Sequence, residues 1–456
     1  MNLENSVMRE VINIGPDGVQ AEILSVDDTT SVFDDGEISL RPVPGYEEEK
    51  YVAWGDDNLL PLRVRDLIGS DEVTSQNKLF NVLTCYGAGI QLKSVSGESK
   101  QLLEAKKWAR RQYLPQYFLN QITDMKYYYF SVCVIILNKG GDQINRIVHK
   151  DAAYCRLQEA DSHGRIRHIY YADWSSTRKK AERKVERIRL LDMRDPIGHL
   201  MRVMGKEPGK DGLKRKENTH EGKYAMVMRM PTVGCKYYPV PYYASIFRGG
   251  SYDEKRLIST GKRAKLRNHM SVKYQVEVAR DYWDRIIAEE KITNPVKQQE
   301  RIKKEKEAIR DFVAGIHNSG KAWITGYYVD PLGKEIRDIR VVNIEGSKEG
   351  GDWADDINVS ANTLCYADNI HPNLVGAVPG KSQNNNSGSD KRELYTMKQL
   401  LETAFHDIML LPLQLAMEVN GWDDVEPTVP IIQLTTLDEH RDSKKVSLNK
   451  NDNPDE

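Results

Sequence analysis

Apolar residues recur along this chain with two periods, and the switching between them predicts a mixed architecture. Residues 75–92 and 100–125 read as helices, the second with an apolar face of Leu102, Leu103, Trp108, Tyr113, Phe118 and Ile122. Tyr127 to Leu137 is a run of aromatic and β-branched residues, the composition of a strand. The Asn138–Asp142 turn follows, then strand-like Ile144–Val148. Arg165–Tyr171, Val185–Leu191 and Tyr224–Met230 add three strands, giving a meandering sheet flanked by helices. Pro239 and Pro241 open a helix reaching His269, because a first turn tolerates proline. Met270–Val278 alternates with period two and is a strand. A charged helical stretch over 280–318 carries a narrow stripe (Ile302, Ile309, Phe312, Val313, Ile316), interrupted by Pro295, before strand Trp323–Val329. The fold class is α+β.

The most informative stretch is Asp368–Trp422, where a Gly/Asn/Ser loop separates two helical patterns. A loop of that length is uncommon in a compact domain without a use. Gly376-Ala-Val-Pro-Gly380-Lys381-Ser382 resembles a phosphate loop but has three residues between its glycines where four are needed. Ser382 runs into Gln383, Asn384, Asn385 and Asn386, with neither a preceding strand nor an immediate helix to face a phosphate. After the loop, Asp390 and Glu393 have capping-box spacing. Leu394, Met397, Leu401, Phe405, Ile408 and Leu411 then form one apolar helical face. Pro412 predicts a kink or break, and Asn420-Gly421 a stop.

Charge changes the picture locally more than globally. Lys and Arg number 66 against 67 Asp and Glu. Residues 1–62, however, carry fourteen acids against three bases, and the first fifty read as an acidic, poorly packed arm. Residues 178–222 carry fourteen bases against eight acids, with 205–218 an exposed loop. Cys85, Cys133, Cys155, Cys235 and Cys365 are scattered and suit buried thiols in a reducing compartment. The apolar runs are too short to span a bilayer, and the N-terminus lacks signal-peptide features. No zinc-type His/Cys spacing and no nucleophile elbow occurs, so neither an enzyme, a metal site nor a cofactor is expected.

Two stretches carry a resemblance. His371-Pro-Asn-Leu-Val-Gly376, the polar loop and the helix ending Leu411-Pro-Leu-Gln-Leu-Ala-Met-Glu-Val-Asn420 resemble the tunnel loop and kinked helix of tailed-bacteriophage portal proteins. Val52-Ala-Trp-Gly-Asp-Asp-Asn-Leu-Leu-Pro61, followed by Leu79–Leu92 with its Gly87-Ala-Gly89 turn, is similar to portal N-termini. The resemblance implies an acidic arm (1–50), the first part of a wing (51–241), a stem helix (242–269), an αβ clip (270–345) and a second stem helix (346–371). A tunnel loop (372–389), a kinked wing helix (390–425) and a short C-terminal segment (426–456) follow, with little or no crown.

It further implies a homo-oligomeric ring of twelve subunits at one capsid vertex of a virion, assembled in the host bacterial cytoplasm. Double-stranded DNA would pass through it without sequence preference. Gly376, Gly380, Lys381 and the polar residues 382–386 would contact DNA, with Asp352, Asp355, Asp356, Lys262 and Lys265 lining the stem. Asp368 belongs to the same acidic stretch. Lys303, Lys304 and Trp323 would lie in the clip, which docks the terminase large subunit and later the head–tail adaptor. Major capsid and scaffolding proteins are further partners; a membrane is not. The alternatives are a minor capsid or head-completion protein and, through the near-miss at 376–382, a DNA-dependent NTPase.

Overall fold

The structure is a computed structural model of the 456-residue chain. It describes residues 7–13, 20–26, 38–97, 99–175, 184–206, 222–269, 274–314, 327–329, 335–343, 352–375, 388–432 and 434. The chain divides into two units. One comprises Met1–Glu4, Asp27–Asp253 and Asn358–Glu456; the other comprises Asn5–Val26 and Glu254–Ile357.

Regular structure begins inside the acidic arm. Strands β1 (Val7–Asn13) and β2 (Gln20–Val26) pair antiparallel in the smaller unit. In the larger unit β3 (Leu40–Val43) pairs with β4 (Tyr46–Val52), and Val43 and Tyr51 are buried. The arm is therefore partly folded. Helix α1 (Leu60–Gly69), which the patterning does not announce, starts with Pro61 in its first turn and buries Val64 and Ile68. Helix α2 (Glu72–Tyr86) is capped by Asp71, which accepts from the Thr74 amide at 2.8 Å. It ends before residue 92, because the chain turns at Gly87 (φ +50°) and Gly89 (φ +76°) into β5 (Gln91–Ser94).

The single helix expected over 100–125 is two, α3 (Lys100–Arg111) and α4 (Leu114–Tyr128). Tyr113 takes a left-handed conformation (φ +53°), and Pro115, lacking an amide proton, suits the first turn of a new helix. Strands β6 (Phe130–Leu137), β7 (Ile144–Lys150), β8 (Cys155–Leu157), β9 (His168–Tyr171) and β10 (Glu186–Leu190) follow. Then come α5 (Pro196–Met204) and β11 (Lys223–Arg229), completing a six-stranded sheet of order β7-β6-β11-β10-β9-β8. Every pair is antiparallel except β10–β11. A parallel pair needs a crossover, and residues 191–222, with α5, provide the length.

Strand β6 explains why the sheet is the core of this unit. Its residues are buried on both faces, and alternation sends them to two clusters. Cys133 and Ile135 face Phe118, Ile122 and Met125 of α4 and residues 409–419. Phe130, Val132 and Val134 face Trp54, Val64, Ile68, Phe247 and Leu364. Each such side chain contributes about 1.5–3 kcal/mol on burial. Four of the five cysteines are buried, and all five are free thiols.

The continuous helix expected from Pro239 is also divided. A 3₁₀ turn (Tyr242–Ala244) and α6 (Ser245–Arg248) precede Gly249-Gly250, with Gly250 at φ +80°. Helix α7 (Ser251–His269) then leads out of the larger unit. The smaller unit contains β12 (Tyr274–Val278), α8 (Arg280–Glu289), α9 (Pro295–Ala314), β13 (Tyr327–Val329), β14 (Glu335–Arg337) and β15 (Ile339–Asn343). Strand β12 pairs with β15, and β13 with β14. Pro295 begins α9 rather than interrupting one helix.

The chain returns along α10 (Asp352–Ala367) to α11 (Pro372–Val375), α12 (Gly388–Val419) and β16 (Val425–Thr428), the last paired with β5. Helix α12 runs unbroken through Pro412. The donor lost there is offset by burial of Met409, Leu410, Leu413, Leu415, Ala416, Met417 and Val419 around it.

Candidate functional site

Most residues expected to touch DNA, Gly376, Gly380, Lys381, Ser382, Gln383, Asn384, Asn385 and Asn386, lie outside the described residues, as does Trp323. Lys265 and Asp352 are described only as helical positions. Lys262 on α7, Lys303 and Lys304 on α9, and Asp355 and Asp356 on α10 are exposed. No ion pair joins any of these five among the described residues. What the structure does show is how the two ends of the 376–387 segment are fastened.

The leading end is the turn after α10. Asn369 adopts a left-handed conformation (φ +56°), and the Ile370 amide returns to the Cys365 carbonyl at 3.0 Å. Asp368 sits in this turn, beyond the helix that it was expected to decorate, and is 6% exposed. It does not present charge to solvent. Lys78 of α2 ion-pairs with it, and Asn81 donates to its carbonyl at 3.0 Å. Asn77 donates to the Leu364 carbonyl at 3.3 Å.

The trailing end is the first half of α12. Glu402, 1% exposed, ion-pairs with Lys126 of α4 and with Lys398 one turn earlier, the latter at 3.0 Å. Lys398 also donates to the Asn369 carbonyl at 3.2 Å, which ties the two ends to each other. His406 donates through Nε2 to the Cys85 carbonyl at 2.6 Å, a bond that fixes α12 on α2. Three ammonium groups thus face two carboxylates in the buried interior, and Asp368 Oδ2 has no partner among the described residues.

Electrostatics follow from that crowding. Burial pushes Lys78 down to about 8, against the opposing pull of Asp368. Its ammonium also lies 3.0 Å from the centroid of the Tyr243 ring, whose negative face compensates part of the lost hydration. Burial likewise lowers Lys398 and His406. For Glu402 burial acts upward, but Lys126 and Lys398 together outweigh it and hold the carboxylate below its usual range. An arrangement of this kind is costly to assemble and more costly to leave half made. It can hold a turn and a helix in one register; it presents no nucleophile or general base to solvent.

The same two helices invert the expected pattern. Met397 and Leu401, assigned to the apolar face, are 60% and 53% exposed, and Leu400 is 52% exposed. Lys398, Gln399 and Glu402 are buried instead. Helix α2 repeats this: Leu79 and Leu83 are exposed while Asn77, Lys78 and Asn81 are buried. Sequence reasoning missed the network. Lys398 and Glu402 have i,i+4 spacing, but such pairs ordinarily mark a solvated face.

A chain solved in the neck of a native gene transfer agent particle, computed with C12 symmetry, matches this architecture with a TM-score of 0.51. The match covers 88% of this chain and 89% of that one at 12% identity. The two chains share a fold. A chain from the neck of the empty particle, computed with C6 symmetry, matches at 0.49 over 83% and 85% with 11% identity. One from the native virion matches at 0.47 over 80% and 82%, also with 11% identity. No protein-family model and no curated protein sequence matches the chain. The α+β class expected from the patterning agrees with the neck chain's fold. Among the described residues there is no group of three or more His, Cys, Asp or Glu able to hold a metal, and no helix long and apolar enough to cross a membrane.

Proposed function

We propose that the chain is a portal protein, a homo-oligomeric ring at one vertex of a phage-like capsid through which double-stranded DNA is packaged and released. The observation that carries this reading is the inversion on α2 and α12. Apolar side chains that a monomer would bury face outward, while charge is buried behind them. Exposed apolar surface of this kind marks an interface, and a head-to-tail repeat of one such contact closes into a ring. The shared fold with a particle-neck chain supports the same reading.

Within it, α7 and α10 are the stem, the strand–helix–strand unit between them the clip, and 372–389 the tunnel loop whose ends the buried network holds. Helix α10 carries Asp352, Asp355 and Asp356 and no Lys or Arg. Repeated around a ring, that wall repels phosphate and keeps the duplex mobile, the opposite of a counterion-releasing grip. Lys381 is the loop cation that touches phosphate in passing. The clip, with Lys303, Lys304 and Trp323, docks a terminase and then an adaptor; the ring has twelve subunits, contacts capsid and scaffold, and resides in the virion.

Sedimentation of the full chain tests the proposal. A single assembly of ring mass is expected. A folded monomer at high concentration would favour a head-completion or minor capsid role instead.

A further inference from the structure

A groove on the larger unit is walled by positive charge, and none of the portal assignments uses it. Its volume is about 1140 Å³, above the roughly 300–1,000 Å³ of small-molecule pockets. Eight Lys or Arg residues line it against one carboxylate, Asp192. Strand β10 contributes Arg187 and Arg189, which alternation puts on one face, and the register sets Arg189 opposite His168 of β9. The β9 approach contributes Arg165 and Arg167; the segment leading into α5 and α5 itself contribute Arg194 and Arg202.

Three carboxylates outside the lining offset part of this. Glu49 takes Arg187 in a two-pronged pair (2.7 and 3.1 Å), Asp161 takes Arg167 at 3.2 Å, and Asp195 takes Arg202 at 3.3 Å. Arg165 and Arg194 are exposed and have no side-chain partner among the described residues. The field is felt inside the wall: His168 is pushed down to about 4, by burial first and then by Arg187, with Arg189 and Arg167 adding to it. Like charges on neighbouring strands cost stability.

We infer that this groove binds the phosphate backbone of DNA. Seven of the eight bases are arginine, whose planar fork matches phosphate oxygens two at a time. Two exposed arginines unpaired among the described residues, Arg165 and Arg194, in a wall of eight bases present more charge than one carboxylate of a passing peptide neutralises, and suit a polymer with a charge on every residue. Contacts to phosphate position a duplex and read no sequence. The groove is thus a holding site, in contrast to the acidic wall of α10.

The test is binding of a fluorescein-labelled, mixed-sequence duplex to the full chain across a salt series. The variant Arg165→Glu/Arg194→Glu is compared with Lys106→Glu/Lys107→Glu, which makes the same charge change at two exposed positions of α3. Reversal in the groove should weaken binding about tenfold or more near 50 mM salt and flatten the salt dependence by about two charges. The α3 variant should stay within about twofold. Arg165→Gln/Arg194→Gln, a milder change, should fall between, and circular dichroism checks that each variant is folded. Equal losses in the two Glu variants, or none in the groove variant, would overturn the inference. So would polyglutamate displacing the duplex at lower charge concentration than unlabelled DNA does, which would assign the groove to an acidic protein segment. Sedimentation of the same samples reads ring assembly separately, so failure of the groove and failure of the ring are distinguishable.

Discussion

The two halves of α12 belong to one unbroken helix yet are stabilised by different physics. From Met409 to Val419 the helix buries Leu, Met, Ala and Val against α4 and the sheet, and an amphipathic pattern describes it. From Met397 to Glu402 it buries Lys398, Gln399 and Glu402 and turns Met397, Leu400 and Leu401 outward. The distal half gains from hydrophobic burial, which is tolerant of small changes in geometry. The loop-proximal half depends on ion pairs that stabilise only in one register, because a displaced partner leaves a buried charge uncompensated. That difference teaches where the chain needs fixed geometry: at the two ends of the 376–387 segment. It also shows where apolar side chains, Met397, Leu400 and Leu401, stand exposed.

The comparison can be broken most forcefully at Glu402. Glu402→Ala leaves Lys126 and Lys398 buried without their carboxylate, and a loss of about 3–5 kcal/mol is expected by urea denaturation. A loss below about 1 kcal/mol would mean that the pairs are solvated. In the distal half, Leu413→Ala should cost about 2–5 kcal/mol through the cavity that it leaves, and the cost should be independent of pH.

A pH series separates the halves further. Lys78 titrates at about 8 in the folded chain, below its unfolded value of about 10.4. Between those values the unfolded chain binds the extra proton, so this group makes stability rise with pH across that window. Subtracting the profile of Lys78→Met from that of the parent should isolate the rise. A flat difference between about pH 8 and pH 10 would contradict the lowered titration of Lys78. The smallest effect on folding is expected from Met397→Gln/Leu401→Gln, within about 0.5 kcal/mol for each site as for other surface changes. The same variant should lower the yield of assembled particles, and unaltered assembly would remove α12 from the interface.

Sequence periodicity announced five of the sheet's six strands, since β6 and β11 are buried runs whose composition admits little else, and missed β8, which at three residues is too short to show a period. It was sufficient for the distal half of α12. It failed at Tyr113 and at Gly249-Gly250, where backbone conformation divides helices whose side-chain pattern is continuous. It failed more instructively around Lys78, Asp368, Lys398 and Glu402. A charge at helical spacing is ordinarily a solvated charge, and only tertiary placement of α2, α4 and α12 makes it a buried one. The resemblance in 371–376 and 411–420 drew attention to this stretch, while the contacts at its flanks, at Asp368, Lys398 and Glu402, came from residues that no motif singled out.

The central claim is that these outward apolar faces close a ring around a channel. The most direct measurement is electron imaging of the purified full chain, averaged without imposed symmetry. The account predicts end-on rings with a central opening of roughly 20 Å or more, enough for a duplex whose major groove alone is about 12 Å wide. Compact, unringed particles at a concentration where the chain is fully folded would contradict it.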